Sequence, residues 1–269
     1  MRMSDRRVAA TTPSASRPDH QGGRADRHDG LRVRGVVAGY GGTPVVNNVS
    51  LDVARATVTL VVGPNGCGKS TLAKALAGVI PVMAGTVLVG EEDVTNVRSD
   101  LLVRRGIGYV PQVRDVFDPL SVTENLEVSG YTLDKATFAE RKEQVYGAFP
   151  RLASLGKRLA VNLSGGERKM LAIARVLMLA PKIVIIDEPT AGLSPRLAHE
   201  VLHEHVAEIA RAGAAVLLIE QRAFDALKVA DLVCVMSGGV VKMTTPAADE
   251  STHPDIVRTM LGDFAEPDR

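Results

Sequence analysis

The stretch Val58-Thr59-Leu60-Val61-Val62-Gly63-Pro64-Asn65-Gly66-Cys67-Gly68-Lys69-Ser70 decides the fold. Its first five residues are apolar or β-branched and read as a buried strand. The positions from Lys69 onward, about 69–79, read as a helix. The eight residues between Gly63 and Ser70 fit the pattern G-x-x-x-x-G-K-[ST], and they stand where that pattern has meaning, after a strand and before a helix. Glycines let backbone N–H groups curl around phosphate oxygens with no Cβ in the way. The helix N-terminus adds partial positive charge. Lys69 can reach the outer phosphates of a nucleoside triphosphate, and Ser70 can ligand Mg²⁺.

Outward from this loop the pattern is α/β. Short β-branched runs recur at 31–37, 86–89, 107–110, 183–186 and 215–219, with helical segments at about 165–179, 196–211 and 222–229. The runs at 183–186 and 215–219 are apolar without alternation, as strands are when helices cover both faces of a parallel sheet. A mainly helical stretch, about 121–163, interrupts the alternation. Ile183-Val184-Ile185-Ile186-Asp187-Glu188 ends a buried strand on two carboxylates. Strand C-termini line the crevice where such sheets bind ligands. Asp187 is placed to hold Mg²⁺, and Glu188 to act as general base on an attacking water.

Composition narrows the class further. The chain has 269 residues, Lys+Arg 32 against Asp+Glu 31, a formal net charge of +1 and 45% apolar residues. Balanced charge argues against binding DNA or RNA through phosphate neutralisation, and 3% aromatics argues against a base-stacking surface. Two cysteines, Cys67 and Cys234, cannot build a disulfide framework and fit a reducing compartment. No apolar run approaches the length of a membrane span, and the N-terminus has no apolar signal region, so a cytoplasmic location is expected. Residues 1–30 carry six Arg and four acidic residues with almost nothing apolar, the composition of a disordered tail.

Leu163-Ser164-Gly165-Gly166-Glu167 precedes another apolar helix. Ser164 and Glu167 have the spacing of a capping box, and the two glycines between them leave the helix end open to an anion. Its place, 23 residues before Asp187, makes it specific. Here the chain resembles the ATP-binding-cassette (ABC) ATPases over about residues 31–262. Gly63–Ser70 is similar to their Walker A loop, Leu163–Glu167 to their signature, and Ile183–Glu188 to their Walker B strand. Tyr40, in Gly39-Tyr40-Gly41-Gly42, matches the aromatic that stacks on adenine, and Gln112, in Tyr109-Val110-Pro111-Gln112, the Q-loop glutamine.

The resemblance implies a P-loop NTPase cassette with a mainly parallel core sheet, an antiparallel β region and a helical subdomain at about 113–165. The domain then spans 31–269. It implies ATP contacts from Tyr40, Gly63, Pro64, Asn65, Gly66, Cys67, Gly68, Lys69, Ser70 and Thr71, and across a head-to-tail dimer from Ser164, Gly165, Gly166 and Glu167. Mg²⁺ ligation falls to Ser70, Gln112 and Asp187, and catalysis to Glu188, Gln112 and Gln221. The implied partners are membrane permease subunits, a second ATPase subunit or a second copy of this chain, and a solute-binding protein indirectly. The location is then the inner face of the cell membrane.

Within that family several stretches are similar to the ATPase subunits of branched-chain amino-acid importers: Gly106–Gln112, Thr123-Glu124-Asn125-Leu126, Met170–Arg175, Ala191-Gly192-Leu193-Ser194-Pro195, Ile219-Glu220-Gln221 and Met260-Leu261-Gly262. Urea and short-chain amide importers share this pattern. Gln221 stands where most ABC ATPases have a switch histidine, which shifts base catalysis to Glu188, because a glutamine carries no proton at neutral pH. Ser194 stands in place of a D-loop aspartate.

Three rival readings come from the residues. His199-Glu200-Val201-Leu202-His203 fits the zinc-protease pattern H-E-x-x-H, with Glu200 as base. No third ligand follows in a convincing motif, and both histidines border an apolar stripe of Ala198, Val201, Leu202, Val206 and Ile209, so the segment is read as a polar helix edge. Cys67 at a helix N-terminus could be a reactive thiol, but it is read as a small loop filler; Cys234 is read as core. An ATP-gated clamp on DNA or ribosomes would need a coiled-coil insertion or two cassettes. Lys69 and Asp187 are 118 residues apart with no heptad run between them.

Overall fold

The structure is a computed structural model that describes residues 29–113, 115–221 and 223–261. The expected tail, residues 1–30, lies outside this range except for Asp29 and Gly30. Gly30 is buried, and its carbonyl accepts the amide of Gly90 at 3.0 Å. A Cβ there would lie 2.0 Å from the Val53 carbonyl oxygen, so the backbone packs too closely for any other residue.

The chain begins with β1 (Leu31–Tyr40), β2 (Thr43–Val53) and β3 (Val58–Val62), then α1 (Lys69–Leu76), β4 (Val82–Val89), β5 (Glu92–Asp93), α2 (Ser99–Arg104) and β6 (Ile107–Val110). The helical stretch follows as α3 (Val122–Ser129), α4 (Lys135–Ala148) and α5 (Pro150–Ser154). The second half holds α6 (Gly165–Leu177), β7 (Ile183–Asp187), α7 (Pro195–Glu200), a π-helical turn (Val201–Val206), α8 (Ala207–Arg211), β8 (Ala215–Ile219), α9 (Ala223–Leu227), β9 (Leu232–Ser237), β10 (Val240–Pro246) and α10 (His253–Leu261). None of these helices is long and apolar enough to cross a membrane.

Two sheets form. One is antiparallel, in the order β2-β1-β4-β5; the other runs β10-β9-β3-β8-β7-β6 and is parallel except for β10. The unbroken apolar runs of the parallel strands divide between two cores. Leu60, Val62, Val184, Ile186, Val216 and Leu218 pack with Leu171 and Ile173 of α6 and Leu126 of α3. Val61, Ile183, Ile185, Leu217 and Ile219 face the other way, onto Leu72 and Leu76 of α1 and Val33, Val36 and Leu51 of the antiparallel sheet. Every residue of β3, β7 and β8 is buried whichever way it points, which is why alternation is missing from the sequence.

The structure departs from the expected elements at identifiable points. The helix from Lys69 stops at Leu76 because Gly78 takes φ +65° with its backbone against the Val97 carbonyl. β2, which sequence reading missed, carries Asn48 at φ 52° opposite a register shift, so its apolar period is broken where a strand signal is sought. The helix expected at 196–211 is interrupted by the π turn over Val201–Val206.

Candidate active site

The Gly63–Ser70 loop leaves β3 and enters α1. A Cβ at Gly63 would lie 2.1 Å from the Met236 carbonyl oxygen, so the loop passes β9 at a distance only glycine permits. Gly66 and Gly68 adopt φ +77° and +104°, and the Cys67 amide turns back to the Pro64 carbonyl at 3.3 Å. Gly68 is the N-cap of α1, with no side-chain cap and no acidic residue in the first turn. The amides of that turn are therefore left for an outside acceptor. Lys69 is 4% exposed, and its Nζ donates to the carbonyls of Gly63 at 2.8 Å and Pro64 at 3.0 Å, so the ammonium is buried but satisfied. Thr71 is buried behind it.

Ser70 Oγ lies 3.1 Å from Asp187 Oδ1 and joins the loop to the end of β7, 117 residues away in sequence. Asp187 is 1% exposed, and burial pushes its carboxyl above the ordinary range against the pull of the Ser70 hydrogen bond. The Tyr109 ring of β6 lies beside it, and burial chiefly, with the Asp187 charge, holds its hydroxyl protonated. Glu188 takes φ 46°, a left-handed conformation that costs a non-glycine residue roughly 1–2 kcal/mol. Its amide bonds to the Ile219 carbonyl at 2.9 Å, and its carboxylate accepts from Gln112 Nε2 at 2.6 Å. The strained residue sits between its two partners, a common arrangement at functional positions.

Gln221 is exposed just beyond β8. Its amide donates to the buried Glu220 carboxylate at 3.2 Å, and the Thr190 amide donates to the same carboxylate at 3.0 Å. Glu220 thus ties the turn after Glu188 to the loop carrying Gln221, and burial raises its pKa. Sequence reading quoted Glu220 without a role; the structure gives it a positioning one. Tyr40, 49% exposed, presents its ring to solvent at the end of β1.

The Ser164 end of α6 is built differently. Ser164 Oγ accepts the Glu167 amide and Glu167 accepts the Ser164 amide at 2.9 Å, so the capping box is closed. Arg151 also bonds Glu167 at 2.9 Å. A Cβ on Gly166 would lie 3.1 Å from Leu197 of α7, so this glycine serves close packing, and Gly165 alone of the two is exposed. Among the described residues no hydrogen bond or ion pair joins Ser164–Glu167 to the Gly63–Ser70 loop of the same chain. The α6 helix is joined instead to Gln112. Lys169 Nζ donates to the Gln112 carbonyl at 2.7 Å and to Asp115 Oδ2 at 2.8 Å, while Arg168 pairs with Asp115 and Asp118.

Lys69, Ser70, Asp187, Glu188 and Gln112 are therefore one connected cluster at the C-terminal ends of parallel strands, with Gln221 at the next strand end. Among the described residues, no hydrogen bond or ion pair joins Tyr40 or Ser164–Glu167 to it. Burial pushes the Cys67 thiol up, despite nearby Lys69, so it is a protonated loop residue and not an activated one. Ser194 caps α7, with its Oγ accepting the Leu197 amide. Away from the cluster, Asp225 of α9 brings a carboxylate oxygen to 3.8 Å from His199 Nδ1, so the H-E-x-x-H pair has a nearby carboxylate that linear spacing did not offer.

Comparison with known proteins identifies the family. A family model described as ABC transporter matches residues 46–191. The chain is 35% identical over 223 residues to the high-affinity branched-chain amino acid transport ATP-binding protein BraG of Pseudomonas aeruginosa, covering 83% of this chain and 95% of that protein. It is 35% identical over 233 residues to the probable branched-chain amino acid transport ATP-binding protein LivF of Archaeoglobus fulgidus, covering 86% and 98%. Among solved structures, the ADP conformation of an ATP-binding cassette of an ABC transporter superposes with a TM-score of 0.75 at 30% identity, over 87% of this chain and 98% of that one. With its connected phosphate loop, Asp187–Glu188 strand end and signature helix, the chain belongs to the ABC transporter family of ATP-binding proteins.

Proposed function

We propose that this chain binds and hydrolyses ATP as the motor subunit of an ABC importer for branched-chain or related amino acids. One observation carries the enzymatic part: the uncapped α1 terminus, the Ser70–Asp187 pair and the Gln112–Glu188 pair converge at the C-terminal ends of the parallel strands. Backbone amides of the α1 turn and Lys69 suit the β and γ phosphates. Ser70, Asp187 and Gln112 offer oxygen donors of the kind Mg²⁺ takes, and Asp187 already shares its carboxylate with the Ser70 hydroxyl. Bound Mg²⁺ supplies charge neutralisation between the phosphates. Glu188, fixed in its left-handed conformation, orients and deprotonates the attacking water; Gln112 holds that carboxylate until a γ-phosphate competes for its amide.

Gln112 also supports coupling. Its carbonyl and Asp115 are held by Lys169 of α6, so a shift of Gln112 acts on the helix whose cap is Ser164. In a head-to-tail dimer that cap meets the partner's nucleotide. A cleft of 290 Å³ opens beside the same loop, between Val79, Val103, Tyr109 and Arg175. With exposed Val79 and Val103 at its lip, it fits a short amphipathic segment of a permease on the inner face of the membrane. The amino-acid class follows from the relatives' names and the shared motifs.

The test is Glu188→Gln. ATP binding, measured by equilibrium dialysis, should persist, while turnover in the reconstituted transporter falls at least ~10²-fold, the low end for loss of a general base. Near-normal turnover ends the reading. Uptake of branched-chain amino acids, with urea and acetamide as competitors, tests the solute class separately.

A further inference from the structure

His199 and His203 lie one turn apart where α7 passes into the π turn, with ring centroids 4.0 Å apart and planes 23° from parallel. Asp225 approaches from α9, a separate element. One donor atom each from His199, His203 and Asp225 lies within 4.8 Å of the others. Asp225 divides its carboxylate: Oδ1 takes Lys228 Nζ at 2.9 Å, and Oδ2 faces His199 Nδ1 at 3.8 Å. The Nε2 atom of His203 is buried with no hydrogen-bond partner. His199 is 57% exposed at its side chain, so an ion has a way in.

We propose that His199, His203 and Asp225 form a binding site for a divalent transition-metal ion of the Zn²⁺ type, separate from the nucleotide site. The donor set has two imidazoles and one carboxylate, the combination of several three-ligand zinc sites that keep a fourth position for water. Ligands at 2.0–2.2 Å from a tetrahedral ion sit roughly 3.4 Å apart, so closing the cluster needs side-chain movement on the order of 1 Å. Imidazole donors favour Zn²⁺, Co²⁺ or Ni²⁺ over Mg²⁺, which keeps this site distinct from the hydroxyl and carboxylate set at Ser70 and Asp187. The two histidines belong to one helical segment and the carboxylate to another, so a bound ion acts as a clamp between them. A bound ion ties the segment after Ser194 to the segment after Gln221. The Lys228 ammonium opposes it by holding Asp225.

The test is Co²⁺ and Zn²⁺ titration of the full-length, untagged protein with millimolar Mg²⁺ present. One Co²⁺ per chain should bind with the visible bands of a tetrahedral site, Zn²⁺ should displace it, and Zn²⁺ should raise the melting temperature. His199→Ala and Asp225→Asn, both at accessible positions, should each weaken binding at least ~10-fold. Lys228→Met should strengthen it. His253→Ala and the double variant H20A/H28A should leave it unchanged. Binding that survives H199A and D225N, or that disappears in H20A/H28A, overturns the proposal. Absence of a tetrahedral cobalt spectrum in the wild-type chain does the same.

Discussion

Two helix N-termini in this molecule meet glycine-rich sequence, and they are finished in opposite ways. The α1 end has no side-chain cap, no acid in its first turn and a buried lysine folded over its own loop. The α6 end is closed by Ser164 and Glu167, and Arg151 pairs with the Glu167 carboxylate. The first is left unsatisfied, which costs stability and favours an incoming anion. The second satisfies two backbone donors internally, so an anion arriving from a partner subunit finds only the amides of Gly165 and Gly166, beside a carboxylate. Within one chain, then, the α1 end is left open to an anion and the α6 end is closed by its own cap.

Breaking the anchorage of α6 should have the largest effect. Asp115 and Lys169 are a buried pair, 3% and 9% exposed at their side chains. Asp115→Ala leaves Lys169 charged with only the Gln112 carbonyl, at about 3–5 kcal/mol by urea denaturation, and D115L/K169M should recover most of that loss. Next comes Lys69→Ala at the α1 end. It should weaken ATP binding by at least ~30-fold while leaving the melting temperature nearly unchanged, read by nucleotide titration and calorimetry. Unchanged ATP affinity would mean that the uncapped turn, and not the lysine, carries the binding.

Ser164→Ala should do the reverse. It should cost about 1 kcal/mol of stability and leave ATP affinity of the monomer unaltered, because the cap serves its own helix. The smallest effect concerns the tie between the two loops at Glu220. Burial raises its folded-state pKa, so the native state holds the proton more tightly than the unfolded chain does. Its contribution is fully present below the ordinary Glu value of about 4.3 and is lost as pH rises through the folded-state value. Glu220→Gln should flatten that part of the stability–pH curve, measured by denaturation at stepped pH.

Much of the cluster was legible because its parts are local. Gly63–Ser70 carries its own strand, turn and helix signals, and Asp187–Glu188 ends an apolar run that can only be a covered strand. The bounds of β3, β6 and β8 follow from their short runs of apolar and β-branched residues. The strand β2 was not legible, since the bulge at Asn48 breaks the period on which its detection depends. Nor was the state of Cys67, because a helix N-terminus and burial act on a thiol in opposite directions and only the packing decides which is larger.

By itself the sequence determined the phosphate loop, the carboxylate pair, the capping box and the family they belong to, because each depends on residue types at short spacing. Tertiary structure decided everything that joins distant positions. It set Ser70 against Asp187, put Gln112 on Glu188 and under Lys169, and gave Gly166 to packing on Leu197. It also carried Asp225 across to two histidines that had looked like a helix edge. The physical reason is that backbone geometry fixes neighbours three and four residues apart, whereas contacts across 76 or 117 residues exist only once strands β3, β6, β7 and β8 have aligned their ends.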